Sequence, residues 1–415
     1  MNVIDADIAA PPVVASRGRW LISLVLLAVV ISGFFDRINV AVMFTNTDFQ
    51  SAMGMGFEPA RLGLLMSAFL FAYGLSSIAL SFCGDTLGPR RSLLASIGVW
   101  GVLMGFMGTA SSYASMIGAR IVLGAAEGPQ FSLFNKITAR WFPVRERARA
   151  TAMWLVGSPL GSAIGFPLTV FLVGSYGWRS SFFVCAAINL VVVLPLVYFM
   201  VQDRPPNAKA DAPVMQPTSR RSIPAELRVL MANRGFWLML VFNSGLLIYL
   251  WGLNTWLPSY LQWVRHFDPR ELGWISSLPF VAVLIGQFSS ATISDRTGRR
   301  ALTCCVGLTG AAVFMLATVM VSNAYLAVAM LALSGGFWGA SVPSAFAVAQ
   351  TMIPGNILST GIGVFNGVGN LAGACAPFAM GLAIAEFGTI EAGLYVIVAA
   401  ALIGALAMIP LLRKY

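Results

Sequence analysis

The chain is short of charge. Asp, Glu, Lys and Arg make up 10% of its 415 residues while 58% are hydrophobic, and the mean hydropathy is +0.80. A soluble fold of this size needs more polar surface than that, so a water-soluble class is excluded. Histidine occurs once, at His266, in a loop beside Asp268, where a proton relay is not expected. The five cysteines, Cys83, Cys185, Cys304, Cys305 and Cys375, show no ligand spacing, which argues against a zinc site or a disulfide framework. No nucleophile–base pair or metal cluster can be drawn, so an enzyme is not expected. No Asn-x-Ser/Thr sequon occurs, which favours a bacterial inner membrane over a glycosylated cell surface. The N-terminal tail lacks a small-residue cleavage site after a short apolar core, so the first apolar run reads as a retained span.

Long apolar runs are what the chain has in abundance. Twelve can be drawn, at 20–43, 61–83, 91–111, 114–137, 147–172, 179–201, 235–258, 271–293, 300–321, 324–348, 357–383 and 390–412. Each can cross about 30 Å of hydrocarbon at about 1.5 Å per residue. The longest polar break, 202–234, is rich in Pro, Arg and Ala and divides six spans from six. The sequence therefore predicts an all-α polytopic membrane protein of twelve transmembrane helices. Its parts are a tail (1–19), a six-helix bundle (20–201), a cytoplasmic linker (202–234), a second bundle (235–412) and a tail (413–415). The net charge of +10 could suggest nucleic acid, but twenty of the 26 Lys and Arg fall in the tails and even-numbered loops. That bias puts both termini in the cytoplasm and makes the basic excess a matter of topology, with no nucleic-acid partner. A monomer in the lipid bilayer is expected.

The halves repeat. Glu58-Pro59 with Leu62-Gly63 recurs as Asp268-Pro269 with Leu272-Gly273, offset by 210 residues. At the same offset, Gly84-Asp85-Thr86-Leu87-Gly88-Pro89-Arg90 recurs as Ser294-Asp295-Arg296-Thr297-Gly298-Arg299-Arg300. An acidic residue before Pro suits a helix start, the carboxylate capping free amides and Pro pre-setting the first turn. Two six-span halves in parallel repeat are a transporter architecture with the substrate held between them near the midplane.

Four charges lie inside these runs: Asp36 and Arg37 in span one, Arg120 and Glu127 in span four. Each costs roughly 2.5–3.5 kcal/mol at mid-bilayer, so such residues pair, face a wet cavity and mark a substrate or ion path. Two positives and two negatives suit a site that takes up an anion and a proton together. Arg120 and Glu127, seven apart, share one helix face, whereas Asp36 and Arg37 point about 100° apart. Asn366 and Asn370 face one way in span eleven; they hold substrate from the C-terminal half or tie span eleven to its neighbours. Trp154, Tyr249, Trp251, Trp256 and Trp338 are candidate cavity walls or packing residues.

The two Asp-x-x-Gly-x-Arg loops resemble the cytoplasmic loop motif of the major facilitator superfamily, which implies a gating role for Asp85, Arg90, Asp295, Arg296, Arg299 and Arg300. The first copy carries Thr86 where the family has a basic residue, and both lack the upstream glycine (Ser81, Ala291). Phe35-Asp36-Arg37-Ile38-Asn39, Tyr73-Gly74, Arg120 with Gly124 and Glu127-Gly128, Thr255-Trp256-Leu257-Pro258 and the stretch Asn366 to Gly373 resemble the anion:cation symporter family within it. The resemblance covers nearly the whole chain. It implies the major facilitator fold, with Arg37 on the substrate carboxylate, Asp36 and Glu127 handling protons, and Tyr73 lining the site. Ser158 stands where some sugar-acid members carry glutamine. Span five also has Gly157-Ser158-Pro159-Leu160-Gly161, which partly resembles an antiporter motif.

The expected function is proton-coupled import of a small organic monocarboxylate, a sugar acid or an aromatic acid, by alternating access, with no cofactor beyond the proton. Arg37, Tyr73, Arg120, Trp251, Asn366 and Asn370 are the expected substrate contacts. A rearranging Arg120–Glu127 pair is expected to couple proton to substrate. The alternatives are exchange of organic anions and a transporter-like sensor; no appended signalling domain supports the latter.

Overall fold

A computed structural model describes residues 18–80, 87–203, 223–354 and 357–413. Span one is Gly18–Met43, span two Pro59–Ala79 and span three Pro89–Thr109. Span four is built of Tyr113–Glu127 and Gln130–Trp141, and span five of Val144–Leu155 and Gly157–Tyr176. Span six joins Trp178–Ala187 to Leu194–Met200 through a π-helical stretch, Ile188–Val193. Spans seven to twelve are Arg234–Ser259, Pro269–Thr297, Arg300–Met320, Ala324–Met352, Leu358–Phe387 and Ile390–Met408. There is no strand among the described residues. Of the expected linker, 204–222 lie outside the described residues, and Ile223–Ala232 forms a helix of its own.

Among the described residues, eleven helices are long and apolar enough to cross a membrane. Span four is not among them because Gly128-Pro129 interrupts it. Pro129 has no N–H to continue the ladder, and its ring crowds the carbonyl one turn back. Gly128 is there for space: a β-carbon on it would sit 2.7 Å from Ser77 N in span two. Gly124, one turn earlier, meets the backbone of Phe69 and Tyr73 in the same way. Gly124→Val should therefore destabilise the protein by about 1–3 kcal/mol through overpacking. An unchanged melting temperature in detergent would contradict this close approach.

The repeat seen in sequence is a repeat of contacts. Gly63 of span two lies against the Pro377 carbonyl of span eleven, and Gly273 of span eight lies 2.8 Å from the Pro167 Cα of span five, measured from an added β-carbon. Pro167 and Pro377 are interior to their helices and are themselves 210 residues apart. Each proline strips the hydrogen bond from the carbonyl four residues before it. The carbonyl freed by Pro167, that of Ala163, is recovered by Ser277 Oγ, which donates to it at 2.6 Å. At the matching place, Ser67 Oγ accepts from Phe378 N at 3.1 Å. The two halves are thus joined by two interfaces of one design. The paired starts differ from expectation in one respect: Pro occupies the first turn at both, but neither Glu58 nor Asp268 makes a side-chain cap. Glu58 instead reaches Arg61 at 3.1 Å, since its longer side chain finds the guanidinium before the amides.

The start of span one, the end of span six and the start of span seven share one face, here the linker face; the opposite one is the far face. The halves meet towards the far face, where Phe44 contacts Trp256 edge-on at 5.3 Å, Phe57 contacts Trp263 at 4.2 Å and Phe166 stacks on Phe280 at 5.6 Å. Towards the linker face, the second piece of span four packs chiefly on spans one, two, three and five of its own half. Among the described residues, the aromatic contacts between the halves gather towards the far face.

Candidate functional site

Glu127 is the last residue of its helix, just before the Gly128-Pro129 break. Span one is close at this level: a β-carbon on Gly33 would lie in ordinary contact, 3.8 Å from Glu127 Oε2 and from the Gln130 amide. One turn further along span one, Arg37 Nη2 donates to Glu127 Oε2 at 2.8 Å. The pair is sealed off, with exposures of 4% for Arg37 and 0% for Glu127. Four rings surround the guanidinium carbon, those of Phe34 at 4.7 Å, Tyr73 at 5.1 Å, Phe69 at 5.6 Å and Trp251 at 5.7 Å. Their faces offer cation–π attraction in place of water. Arg37 Nε and Glu127 Oε1 have no hydrogen-bond partner among the described residues. The site is a buried, charge-assisted pair in an aromatic box.

Trp251 belongs to span seven, so this box is shared by the two halves. Its ring stacks on Phe34 at 6.2 Å, and its Nε1 donates to Asn370 Oδ1 at 3.4 Å. Asn370 Nδ2 in turn donates to Asn366 Oδ1 at 3.1 Å and to the Asn366 carbonyl at 3.0 Å. Both amides are half-buried, so span eleven presents a linked amide pair behind the tryptophan. Nearby, Ser162 Oγ donates across the halves to Asn254 Oδ1 at 3.3 Å. The other aromatic candidates lie elsewhere. Trp338 Nε1 donates to the Leu246 carbonyl, Tyr249 shares a 2.5 Å bond with Ser334, Trp154 donates to Thr138, and Trp256 donates to the Pro377 carbonyl. They are packing residues with satisfied polar ends.

Asp36 points away from this box towards span six. Asn189 Nδ2 donates to both of its oxygens, at 3.3 and 3.2 Å, and Ser32 Oγ donates to Asn189 Oδ1 at 2.6 Å. The serine fixes the amide so that its donor faces the acid. Asn189 lies in the π-helical stretch, where one extra residue per turn re-aims a side chain. Asn39 extends the seam by accepting from Ser181 at 2.7 Å.

Arg120 makes no direct bond to Glu127 in this structure, so the pair expected to rearrange stands apart here. Arg120 turns to span two, with Nε 3.4 Å from the Leu65 carbonyl, Nη2 3.2 Å from Met66 Sδ and its carbon 4.2 Å over the Phe69 ring. The reason is direction: helical side chains lean towards the N-terminal end. Arg120 therefore leans towards the far face while Glu127 sits two turns closer to the linker face. Arg120 and Arg37 share the Phe69 ring, and Arg120 Nη1 has no partner among the described residues.

Of the loop candidates, Asp85 lies outside the described residues. Asp295 is within the helix of span eight, Arg296 and Arg299 are exposed, and Arg300 is half-buried. Arg90 is engaged within its own half: its N–H donates to Asp203 Oδ1 at 3.0 Å and its Nη2 to the Tyr198 carbonyl at 2.5 Å. Arg140 Nη1 is 3.6 Å from Asp203 Oδ1. Sequence reasoning missed Asp203, Asn189 and Gln130. An acid just after span six and buried polar residues facing span one were the available signals.

Known proteins similar to this chain include the probable sulfoacetate transporter of Cupriavidus necator, 29% identical over 90% of this chain and 89% of the relative. The D-galactonate transporter of Escherichia coli O6:H1 (strain CFT073) is 26% identical over 98% of each, and the hexuronate transporter of Bacillus subtilis 24% over 96% of each. In fold, the chain resembles a bacterial homologue of the human lysosomal transporter Spinster in its inward-facing, unoccupied conformation, with a TM-score of 0.76 at 17% identity over 96% of this chain and 95% of that one. It also resembles a D-xylose-proton symporter, with a TM-score of 0.75 at 16% identity over 94% and 97%. The model of the Major Facilitator Superfamily matches twice, over residues 25–268 and 263–414, so with its all-helical spans and repeated interfaces the chain belongs to that superfamily of membrane transporters.

Proposed function

We propose that the chain imports a small carboxylate-bearing organic anion together with protons across a bacterial inner membrane, by alternating access, with the linker face cytoplasmic. One observation carries the reading: the Arg37–Glu127 ion pair is buried in an aromatic box shared by both halves. A buried pair is a poor means of stabilising a fold, because desolvating two charges offsets much of their attraction. As a binding device it is apt. An incoming carboxylate can take the guanidinium from Glu127 with two parallel N–H bonds, and a proton on Glu127 then replaces the lost ion pair. Anion and proton enter together and leave together.

The rings suit the apolar part of a sugar acid or aromatic acid, and the Asn366–Asn370 pair offers amide groups from the opposite half. The relatives named for organic acids support the substrate class. Asp36, held by Asn189, is the second proton position. The loops around Asp85 and Asp295 act as the cytoplasmic gate, with Arg90, Arg296, Arg299 and Arg300 as their basic members. The aromatic contacts between the halves at the far face support an inward-facing state.

Uptake into liposomes with an imposed inward proton gradient tests this. A panel of labelled sugar acids and aromatic acids should include at least one that accumulates above its external concentration and collapses when a protonophore is added. Counterflow of the same acid with no gradient-driven accumulation would replace symport by exchange.

A further inference from the structure

A recess lies on the outside of the C-terminal half. Spans eight and nine are joined by a tight turn at Gly298, whose φ of 68° is left-handed. Both pack along span ten but hardly on each other, so the wedge between them is a groove of about 1110 Å³. Its floor is made of small residues of span ten, Ala332 and Gly336, and its walls of Ile285, Ile293, Val306 and Leu333. Those four wall residues are exposed, and in a membrane that exposure is to lipid. A β-carbon on Gly286 would meet the Gly336 carbonyl, which is why spans eight and ten close tightly and leave the opening on the span-nine side.

The end of the groove at the linker face has a different chemistry. Thr297, Arg299 and Thr303 line it. Arg299 has no ion-pair partner among the described residues. The first turn of span nine has no side-chain cap, so its free N–H groups add a second anion-attracting element beside the guanidinium. Arg296 and Arg300 flank the mouth in sequence.

We propose that this groove binds an anionic glycerophospholipid, with an acyl chain along Ala332 and Gly336 and the phosphate at Arg299 and the first turn of span nine. The dimensions agree. From Ala282 to Thr297, both on the groove, span eight rises about 22 Å, against about 15 Å for half the hydrocarbon thickness. An acyl chain entering at the linker face is therefore covered over its whole depth. The apolar trough gives a soluble phosphate nothing to hold, and the basic mouth favours an anionic headgroup over a zwitterionic one, as basic pockets at helix ends do.

Native mass spectrometry of the purified protein tests the proposal, titrating palmitoyl-oleoyl phosphatidylglycerol, phosphatidylcholine with the same chains, and glycerol 3-phosphate. Wild-type protein should retain phosphatidylglycerol about fivefold more tightly than phosphatidylcholine. Arg299→Gln, a change at an exposed position, should bring the two lipids level. Ala332→Trp, which fills the floor, should lower retention of both. Glycerol 3-phosphate should not displace the lipid at matched concentration. Equal retention of the two lipids by wild type, or an unchanged preference in Arg299→Gln, overturns the proposal. So does displacement by glycerol 3-phosphate, because the trough would then contribute nothing.

Discussion

Arg37→Lys should weaken carboxylate binding at least tenfold, about 1.4 kcal/mol, although the charge is kept. The guanidinium in this structure uses Nη2 for Glu127 and leaves Nε without a partner among the described residues, so one edge remains for an anion. A lysine ammonium cannot offer two parallel N–H bonds in one plane, and it holds its hydration more strongly. Both differences matter in a box of four rings, where water is displaced and flat faces meet a flat cation. The loss should appear in affinity measured by titration calorimetry or ligand-induced thermal shift, with the apo protein still monodisperse. Wild-type affinity in the variant would move the substrate anion away from Arg37 and leave the Arg37–Glu127 pair as a packing contact between spans one and four.

Much of this arrangement was legible before any coordinates. The Leu-Gly and Asp-x-x-Gly-x-Arg repeats, with their 210-residue offset, announced two like halves, and Gly63 and Gly273 turned out to hold equivalent interfaces. Charge in a hydrocarbon run is expensive enough to mark itself, so Arg37 and Glu127 stood out by composition alone. What could not be read was partnership. Helical spacing says which residues share a face of one helix, but it does not say which neighbouring helix that face meets. Arg120 and Glu127 share a face, yet Glu127 lies at the break in span four beside Gly33 and so meets span one, while Arg120 meets span two. Asn189 escaped for a related reason: a π-helical stretch changes the angular register, and the sequence Ile188–Val193 carries no breaker to signal it. Asp203 looked like linker composition because its role, accepting from Arg90 N, depends on a turn of chain more than a hundred residues away.

Glu127→Gln should separate the two halves of the transport cycle. The amide imitates a permanently protonated acid and keeps the shape that fits beside Gly33 and Gln130. It still accepts from Arg37 through its carbonyl, but it no longer competes for the guanidinium as an anion. Substrate binding and counterflow between equal proton concentrations should therefore survive, since neither requires a net proton movement. Accumulation driven by a proton gradient should fall to the equilibrium level, because the residue that exchanges its ion pair for a proton can no longer do so. Asp36→Asn gives the comparison. Asp36 is the second proton position, bonded to Asn189 of span six and not to Glu127, so this variant removes the other acid while keeping the Arg37–Glu127 hydrogen bond. If Glu127→Gln accumulates substrate with an unchanged number of protons per anion, the coupling proton does not pass through Glu127, and Asp36 becomes the site at which it must be sought.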